Sequence, residues 1–351
     1  MIILNIKSGD PNTSIKSDDS DKSLDRIAYE VLSLYGISPE NMSIVQSGDV
    51  KTVWKFSADG RQLCLKRLRQ TYEKVLFSAN AQIHIKNSGG LVPGVLLDKN
   101  EQPVVQYNDQ LFVLYEWING TDLNFSSPVD LRRAVQGLAH FHIASRGYKP
   151  TGASRISSKL GKWPEQYVSM KNKLVAWREI AASNLSQPYY SAYAKCAGSV
   201  LNIADQTIER LASSKYSMLT DSGSGSFVLC HQDYGKGNAL AVGDNIYVLD
   251  LDGVTFDLPA RDLRKIIGKT AENKGQWQAG TIRDILGWYM EVNPLNNDER
   301  EMLYTDLMYP HWFYGLVKNL FQGGKPLKAA EIERIAKLEE AKVPVIKTFF
   351  K

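Results

Sequence analysis

Cysteine is scarce: three residues in 351, Cys64, Cys196 and Cys230, with no paired spacing. That excludes a disulfide framework. Cys64 and Cys230 sit in the apolar runs QLCLKRL and FVLCHQD and read as buried free thiols of a reducing compartment. No run of about 18 apolar residues exists, so no membrane span is expected. The opening MIILNIKSGDPNTSIKSDDSDKS does not read as a secretory signal, because its apolar part is short and its charges follow rather than precede it. Charge of one sign is also lacking. Forty-two Lys and Arg against 38 Asp and Glu leave +4, and no basic stripe is interleaved with aromatics. Nucleic-acid binding is therefore not expected. There is no internal repeat and no low-complexity block. What remains is an ordinary globular composition, 43% hydrophobic, in a chain long enough to expect two lobes.

Residues 8–23 are polar and rich in Ser and Asp and predict a loose N-terminal tail over 1–22. From Ser23, apolar positions Leu24, Ile27, Ala28, Val31 and Leu32 recur at helical spacing, and Gly36 ends that helix. SIVQSGDVKTVWKFSADGRQLCLKRL then alternates and turns twice, predicting three strands. A helix over 71–87 and short strands near 93–98, 103–107 and 111–116 complete a sheet-rich lobe, 23–116. From 117 to 351 helices dominate, with long ones over 163–182 and 187–214. They are interrupted by two short strands around residues 228–250. A small sheet lobe followed by a larger helical lobe with a polar β-loop matches, among other architectures, a protein-kinase-like arrangement.

The polar loop VLCHQDYGKGNAL carries the chemistry. Phosphoryl transfer needs a carboxylate to orient the acceptor hydroxyl and side-chain oxygens to hold Mg²⁺ against the nucleotide phosphates. Asp233 suits the first role, and Asn238, five residues on, suits a metal ligand. Twelve residues further, YVLDLDG predicts a strand ending in Asp250, a second metal ligand. His231 reads as structural. The alternative is a polar hairpin whose Asp and Asn only close a turn. It leaves Asp250 unexplained.

The upstream lobe supplies a lysine for the phosphates, Lys66 in QLCLKRL, and one glycine, Gly48, in the first turn, QSGDVKTVW. Glu73 is the one acid on the helix segment TYEKVLFSANAQIHIK and comes early for pairing with Lys66. In VLYEWING, the Glu116 carbonyl and the Ile118 N–H would bind a purine edge; the alternative is an edge strand running into a turn. Trp163, Trp177 and Tyr167 read as core residues.

CHQDYGKGN, VLDLDGVTFDLPARDL and LAHFH together resemble the aminoglycoside phosphotransferase and choline kinase group. In that group a His-x-Asp…Asn loop precedes an Asp-bearing strand and an Asp-Leu pair, here Asp262-Leu263 after Asp257. More narrowly, HQDYGKGNAL, VTFDLPARDLRKI, LFVLYEWINGTDL and LCLKRL resemble the spore coat (CotS) family of endospore-forming bacteria, over roughly residues 25–345. The resemblance implies an α+β, two-lobe protein-kinase-like fold of the aminoglycoside phosphotransferase type. It implies ATP and Mg²⁺ as cofactors and a hydroxyl-bearing small molecule or coat saccharide as acceptor. It also implies deposition in the spore coat among other coat proteins, after synthesis in the mother-cell cytoplasm. The sequence departs from the group in two places. Gly235 stands where a cationic residue is usual, with Lys236 beside it, and Lys51 and Thr52 replace the usual Asn after the first turn. Two readings stay open: a working phosphotransferase, and a kinase fold kept as an inactive coat scaffold or binding module.

Overall fold

The computed structural model describes residues 17–48 and 51–350. In chain order its first elements are α1 (Ser17–Tyr35), β1 (Glu40–Ser47), β2 (Lys51–Ala58), β3 (Arg61–Leu68), α2 (Tyr72–Asn87), β4 (Val95–Leu96), β5 (Val105–Tyr107), β6 (Gln110–Glu116), β7 (Thr121–Asp122) and α3 (Pro128–Ser145). There follow α4 (Trp163–Ala182), α5 (Pro188–Ala212), the short α6 (Tyr216–Leu219), β8 (Val228–Cys230), β9 (Ala239–Val242), β10 (Asn245–Val248) and β11 (Thr255–Asp257). Helices α7 (Ala260–Lys274), α8 (Ala279–Met290), α9 (Asn297–Met308), α10 (His311–Phe321) and α11 (Ala329–Lys347) end the chain. This is the expected α+β order, an antiparallel sheet followed by helices. The first helix starts at Ser17 rather than Ser23, and residues 1–16 of the expected tail lie outside the described residues. Among the described residues, no helix is long and apolar enough to cross a membrane.

The chain divides into two compact units. One comprises the residues up to Ser157 together with Asp233–Thr255; the other comprises Ser158–Gln232 and the chain from Phe256 onward. In the first unit the main sheet runs β1-β2-β3-β6-β4, with β5 also on β6. Strand β6, QLFVLYE, is apolar without alternation because both its faces are covered. Phe112 and Leu114 join Trp54, Phe56 and Leu65 beneath Ala28, Val31 and Leu32 of α1. Leu111, Val113 and Tyr115 face Val75, Leu76 and Ala79 of α2. Helix α1 is pinned by two polar contacts, Trp54 Nε1 to Asp25 (2.8 Å) and the Tyr107 hydroxyl to Glu30 (2.9 Å).

Strand β2 alternates strictly, with Thr52, Trp54, Phe56 and Ala58 buried and Lys51, Val53, Lys55 and Ser57 half-buried. Its antiparallel register sets Val53 opposite Lys66 and Lys51 opposite Leu68. Lys51 and Lys66 are thus diagonal neighbours on one face of the sheet. A second sheet, β10-β9-β7, carries the polar loop. Its third strand, Thr121–Asp122, pairs with Leu240 and Ala241, a contact the sequence pattern does not announce.

The second unit is mainly helical, with β8 and β11 forming a short strand pair. Trp163, Tyr167 and Trp177 are buried, as expected of core residues. Helix α9 begins with a capping box: the Asn296 side chain accepts the Glu299 N–H (2.9 Å), and the Glu299 carboxylate accepts the Asn296 N–H (2.8 Å). Asn296→Ala is expected to cost about 1 kcal/mol, read as a shift in the denaturation midpoint without a change in slope.

Candidate active site

The polar loop closes on itself through Asn238. The Asn238 Nδ2 donates to the carbonyl of Asp233 (2.8 Å), and its backbone N–H donates to the carbonyl of Gly235 (3.0 Å). The five-residue interval therefore brings Asp233 and Asn238 together, as the spacing predicts. Gly237 lies at φ +88°, a left-handed conformation that a side chain would strain, so the loop closes one residue before Asn238 only through glycine. The residues on both sides of Asp233 are anchored. The Asp262 carboxylate accepts the N–H groups of His231 (2.6 Å) and Gln232 (2.9 Å). On the other side, the buried Tyr234 donates its hydroxyl to the carbonyl of Ala134 on α3 (2.7 Å) and meets Phe125 edge-on. Asp233 itself is exposed.

Asp250 is reached by the hairpin β9–β10. The Leu249 N–H donates to the carbonyl of Asn238 (2.9 Å), extending that ladder by one residue. The strand ends at Val248, not at Asp250 as the sequence pattern predicts. Asp250 sits at φ 61°, ψ 64°, a left-handed conformation uncommon outside glycine, and a single 3₁₀ turn, Leu251–Gly253, follows. The turn is what brings the second acid of DLD, Asp252, to the same place. Lys66, nearly buried, reaches Asp250 Oδ1 at 2.7 Å and Asp252 Oδ2 at 2.5 Å. Lys51 reaches the other oxygen of Asp250 at 2.8 Å.

Four charged groups therefore alternate: Lys51, Asp250, Lys66, Asp252. Burial pulls the Lys66 pKa down, but the two carboxylates overcome it and hold the ammonium's pKa above the usual lysine value. Burial also presses on Asp250, yet Lys66 and Lys51 keep its carboxyl well below the usual range. For Asp252, burial dominates and raises its pKa against the pull of Lys66. Cys64, on β3, is pushed up to about 12 by burial, so it is no nucleophile.

Lys66, Asp250, Asn238 and Asp233 thus fall in one unit, with Asp250 and Lys66 in contact. Glu73 does not join them: it is exposed at the start of α2, and its carbonyl accepts the N–H of Arg155. Asp252 and Lys51 were not expected as site residues. The acid–x–acid repeat DLD was the available signal for Asp252, and the departure from the usual Asn after the first turn was the one for Lys51.

The connector holds Glu116 firmly. Its N–H donates to the Gly94 carbonyl (2.9 Å), and its carboxylate accepts the Gly94 N–H (2.8 Å) and Lys86 (3.2 Å). A Cβ at position 94 would meet that carboxylate at 2.8 Å, so a side chain there would push the Glu116 carboxylate off the Gly94 N–H. Ile118, two residues beyond the end of β6, is half-buried, and the intervening Trp117 N–H is taken by the Gln62 carbonyl (2.9 Å). Gly48 is exposed just past β1, and a Cβ there would find the Lys51 carbonyl no nearer than 3.9 Å. The residues after it, 49 and 50, lie outside the described residues.

Comparison with known proteins identifies the fold and the family. The chain is 25% identical over 289 residues to spore coat protein S of Bacillus subtilis (strain 168), covering 82% of each chain. Among solved structures it superposes on the aminoglycoside phosphotransferase of Alicyclobacillus acidocaldarius with a TM-score of 0.74 at 14% identity, covering 91% of this chain and 94% of that one. It also superposes on an amicoumacin kinase, solved in complex with AMP-PNP, Ca²⁺ and Ami, with a TM-score of 0.61 at 16% identity, covering 93% and 97%. The fold is therefore the kinase-like fold of the aminoglycoside phosphotransferases. The family model described as "Spore coat putative kinase YutH" matches residues 30–343, and the chain belongs to that family.

Proposed function

We propose that this is a spore coat protein with a phosphotransfer site, moving the γ-phosphoryl group of ATP to a hydroxyl of a small molecule or coat saccharide. The observation that carries the reading is the pair of carboxylates, Asp250 and Asp252, closing on one buried ammonium. Two acids drawn together in a half-buried place demand a cation. Lys66 stands there as that cation in the ligand-free chain. The donors around it, the carboxylates of Asp250 and Asp252 and the amide of Asn238, are all hard oxygens, which fits Mg²⁺. The Asn238 Nδ2 is committed to a carbonyl, so Oδ1 is the atom that amide would offer. Bound there, Mg²⁺ would neutralise phosphate charge as it shifts toward the leaving group.

The remaining roles belong to the chain's own groups. Lys66 holds the phosphates electrostatically. Asp233 accepts a hydrogen bond from the acceptor hydroxyl, orients its oxygen at the γ-phosphorus, and takes its proton on a carboxylate oxygen. The new P–O bond forms as the bond to the β–γ bridging oxygen breaks. The Glu116 carbonyl and Ile118 N–H address the purine edge, and the backbone at Gly48 lies over the phosphates. On this reading residues 23–116 form the nucleotide lobe and 117–351 carry the acceptor side. The amicoumacin kinase, with a nucleotide analogue and a divalent cation in its complex, supports the cofactor assignment. Membership in a spore coat family and likeness to spore coat protein S support synthesis in the mother cell and assembly with other coat proteins.

One observation favours a second reading, a coat scaffold with an idle site. Lys51 occupies the Asp250 oxygen that Lys66 leaves, so the metal position is closed by the chain itself. The test is a screen of hydroxyl acceptors with labelled ATP, run on wild type and Asp233→Asn. Transfer in the first and its loss in the second supports catalysis. Equal transfer in both sinks the role of Asp233. No transfer, with Asp233→Asn spores forming a normal coat, favours the scaffold.

A further inference from the structure

Lys51 has no task in the phosphotransfer scheme, yet it is bound to the scheme's main metal ligand. Its ammonium lies 2.8 Å from Asp250 Oδ2, while Lys66 lies 2.7 Å from Oδ1 of the same carboxylate. Both oxygens of Asp250 are thus held by ammonium groups. The four groups in the chain Lys51, Asp250, Lys66 and Asp252 sum to zero charge. A divalent cation arriving alone would find no net attraction there and two positive charges against it. A polyphosphate is different, because it draws both lysines toward itself and leaves two carboxylates behind.

The two lysines are not equally able to move. The Lys66 side chain is 9% exposed, lies on a central strand, and is held by two carboxylates. The Lys51 side chain is 23% exposed, and Lys51 is the first residue of β2, at the end of the ladder. Its flexible four-carbon stem lets the ammonium swing without moving the strand. The diagonal placement of the two lysines on one sheet face means that Lys51 can leave Asp250 and still reach the anion that Lys66 binds.

We infer that Lys51 is a movable counterion: in the ligand-free protein it closes the Asp250 position to divalent cations, and it leaves for the phosphates when a nucleoside triphosphate arrives. Nucleotide and metal then bind together, and the metal alone binds poorly. The inference rests on the phosphotransfer reading of the site and adds to it the order in which the ligands are admitted.

The test uses the full chain in three forms: wild type, Lys51→Met and Lys51→Arg. Free Mn²⁺ is titrated by electron paramagnetic resonance without nucleotide, and ATP with Mg²⁺ is titrated by calorimetry. Matching urea midpoints establish that each form is folded, and Lys51→Gln replaces the Met variant if that one is not. Lys51→Met is expected to bind Mn²⁺ alone roughly tenfold more tightly than wild type and ATP with Mg²⁺ roughly tenfold more weakly, the effect of one contact charge after solvent screening. Lys51→Arg should stay near wild type in both. Equal Mn²⁺ affinity in wild type and Lys51→Met, or undiminished ATP binding in Lys51→Met, overturns the inference and leaves the phosphotransfer reading standing. Absence of ATP binding in wild type overturns both.

Discussion

Replacing Asp306 with Asn is expected to destabilise the protein by about 3–5 kcal/mol, the cost of leaving a buried charge without its partner. Asp306 lies on α9 and has no exposed surface. Its Oδ2 accepts from Arg264 Nε (2.8 Å), and its Oδ1 accepts from the Tyr167 hydroxyl and from His311 Nε2 (2.8 Å). Burial favours the neutral acid, but Arg264 and Arg261 overcome it and hold the carboxyl well below the usual range. The Asn variant keeps the shape and removes the charge, so Arg264 is left buried and uncompensated. Urea denaturation measures the loss. A change under about 1 kcal/mol would show that water relieves Arg264.

The same cluster predicts acid sensitivity. Burial, with Arg264 adding to it, brings the pKa of His311 down from 6.5 to about 3. Below pH 6.5 the unfolded chain therefore takes up a proton that the folded chain refuses until about pH 3. The unfolded state binds more protons across that window, so stability falls as pH falls, by up to about 1.4 kcal/mol per pH unit. Asp306 acts in the same direction at lower pH. Its depressed pKa gives stability that is full above about pH 4 and is lost as pH falls toward the folded value. His311→Gln should flatten the profile between pH 6.5 and 4.5, and an unchanged slope there would contradict the assignment.

Asp233→Asn is expected to lower the phosphotransfer rate by roughly 10²–10⁴-fold, the usual contribution of a positioned general base. The loop should survive the change, because Asn238 is tied to the backbone carbonyl of Asp233 and not to its carboxylate. The ion pairs of Lys66 with Asp250 and Asp252 are kept in the variant, so nucleotide affinity should be retained. A loss confined to kcat fits the role; a loss of less than about fivefold would remove it.

Much of the site could be read locally, and what could not is non-local. Lys66 stands out as a charge inside the apolar strand pattern LCLKRL, and the interval from Asp233 to Asn238 as a short polar loop between apolar runs. The alternation of VLDLD predicts a strand ending at Asp250, whereas the strand ends at Val248. The left-handed conformation at Asp250 accompanies contacts with Lys66, 184 residues away, and Lys51, 199 residues away. No window of sequence contains those pairs. The turn they help hold is also what delivers Asp252. The strand Thr121–Asp122 is non-local too, since two residues carry no pattern and its partner is β9. Glu73 failed as a partner for Lys66 because position along a helix sets a face, not a distance. The cluster around Asp306 is non-local as well, since Arg264 lies 42 residues and Tyr167 139 residues from it in the chain.

The thermal midpoint of the purified protein, with ATP in the presence and absence of Mg²⁺ and beside Asp250→Ala, tests the nucleotide site most directly. A ligand bound only by the folded state must raise the midpoint, by the equivalent of about 2.7 kcal/mol at a hundredfold excess over Kd. A rise of some degrees that needs Mg²⁺ and vanishes in Asp250→Ala is the expected result. No rise in wild type at millimolar ATP would contradict it and leave the fold as a scaffold of the coat.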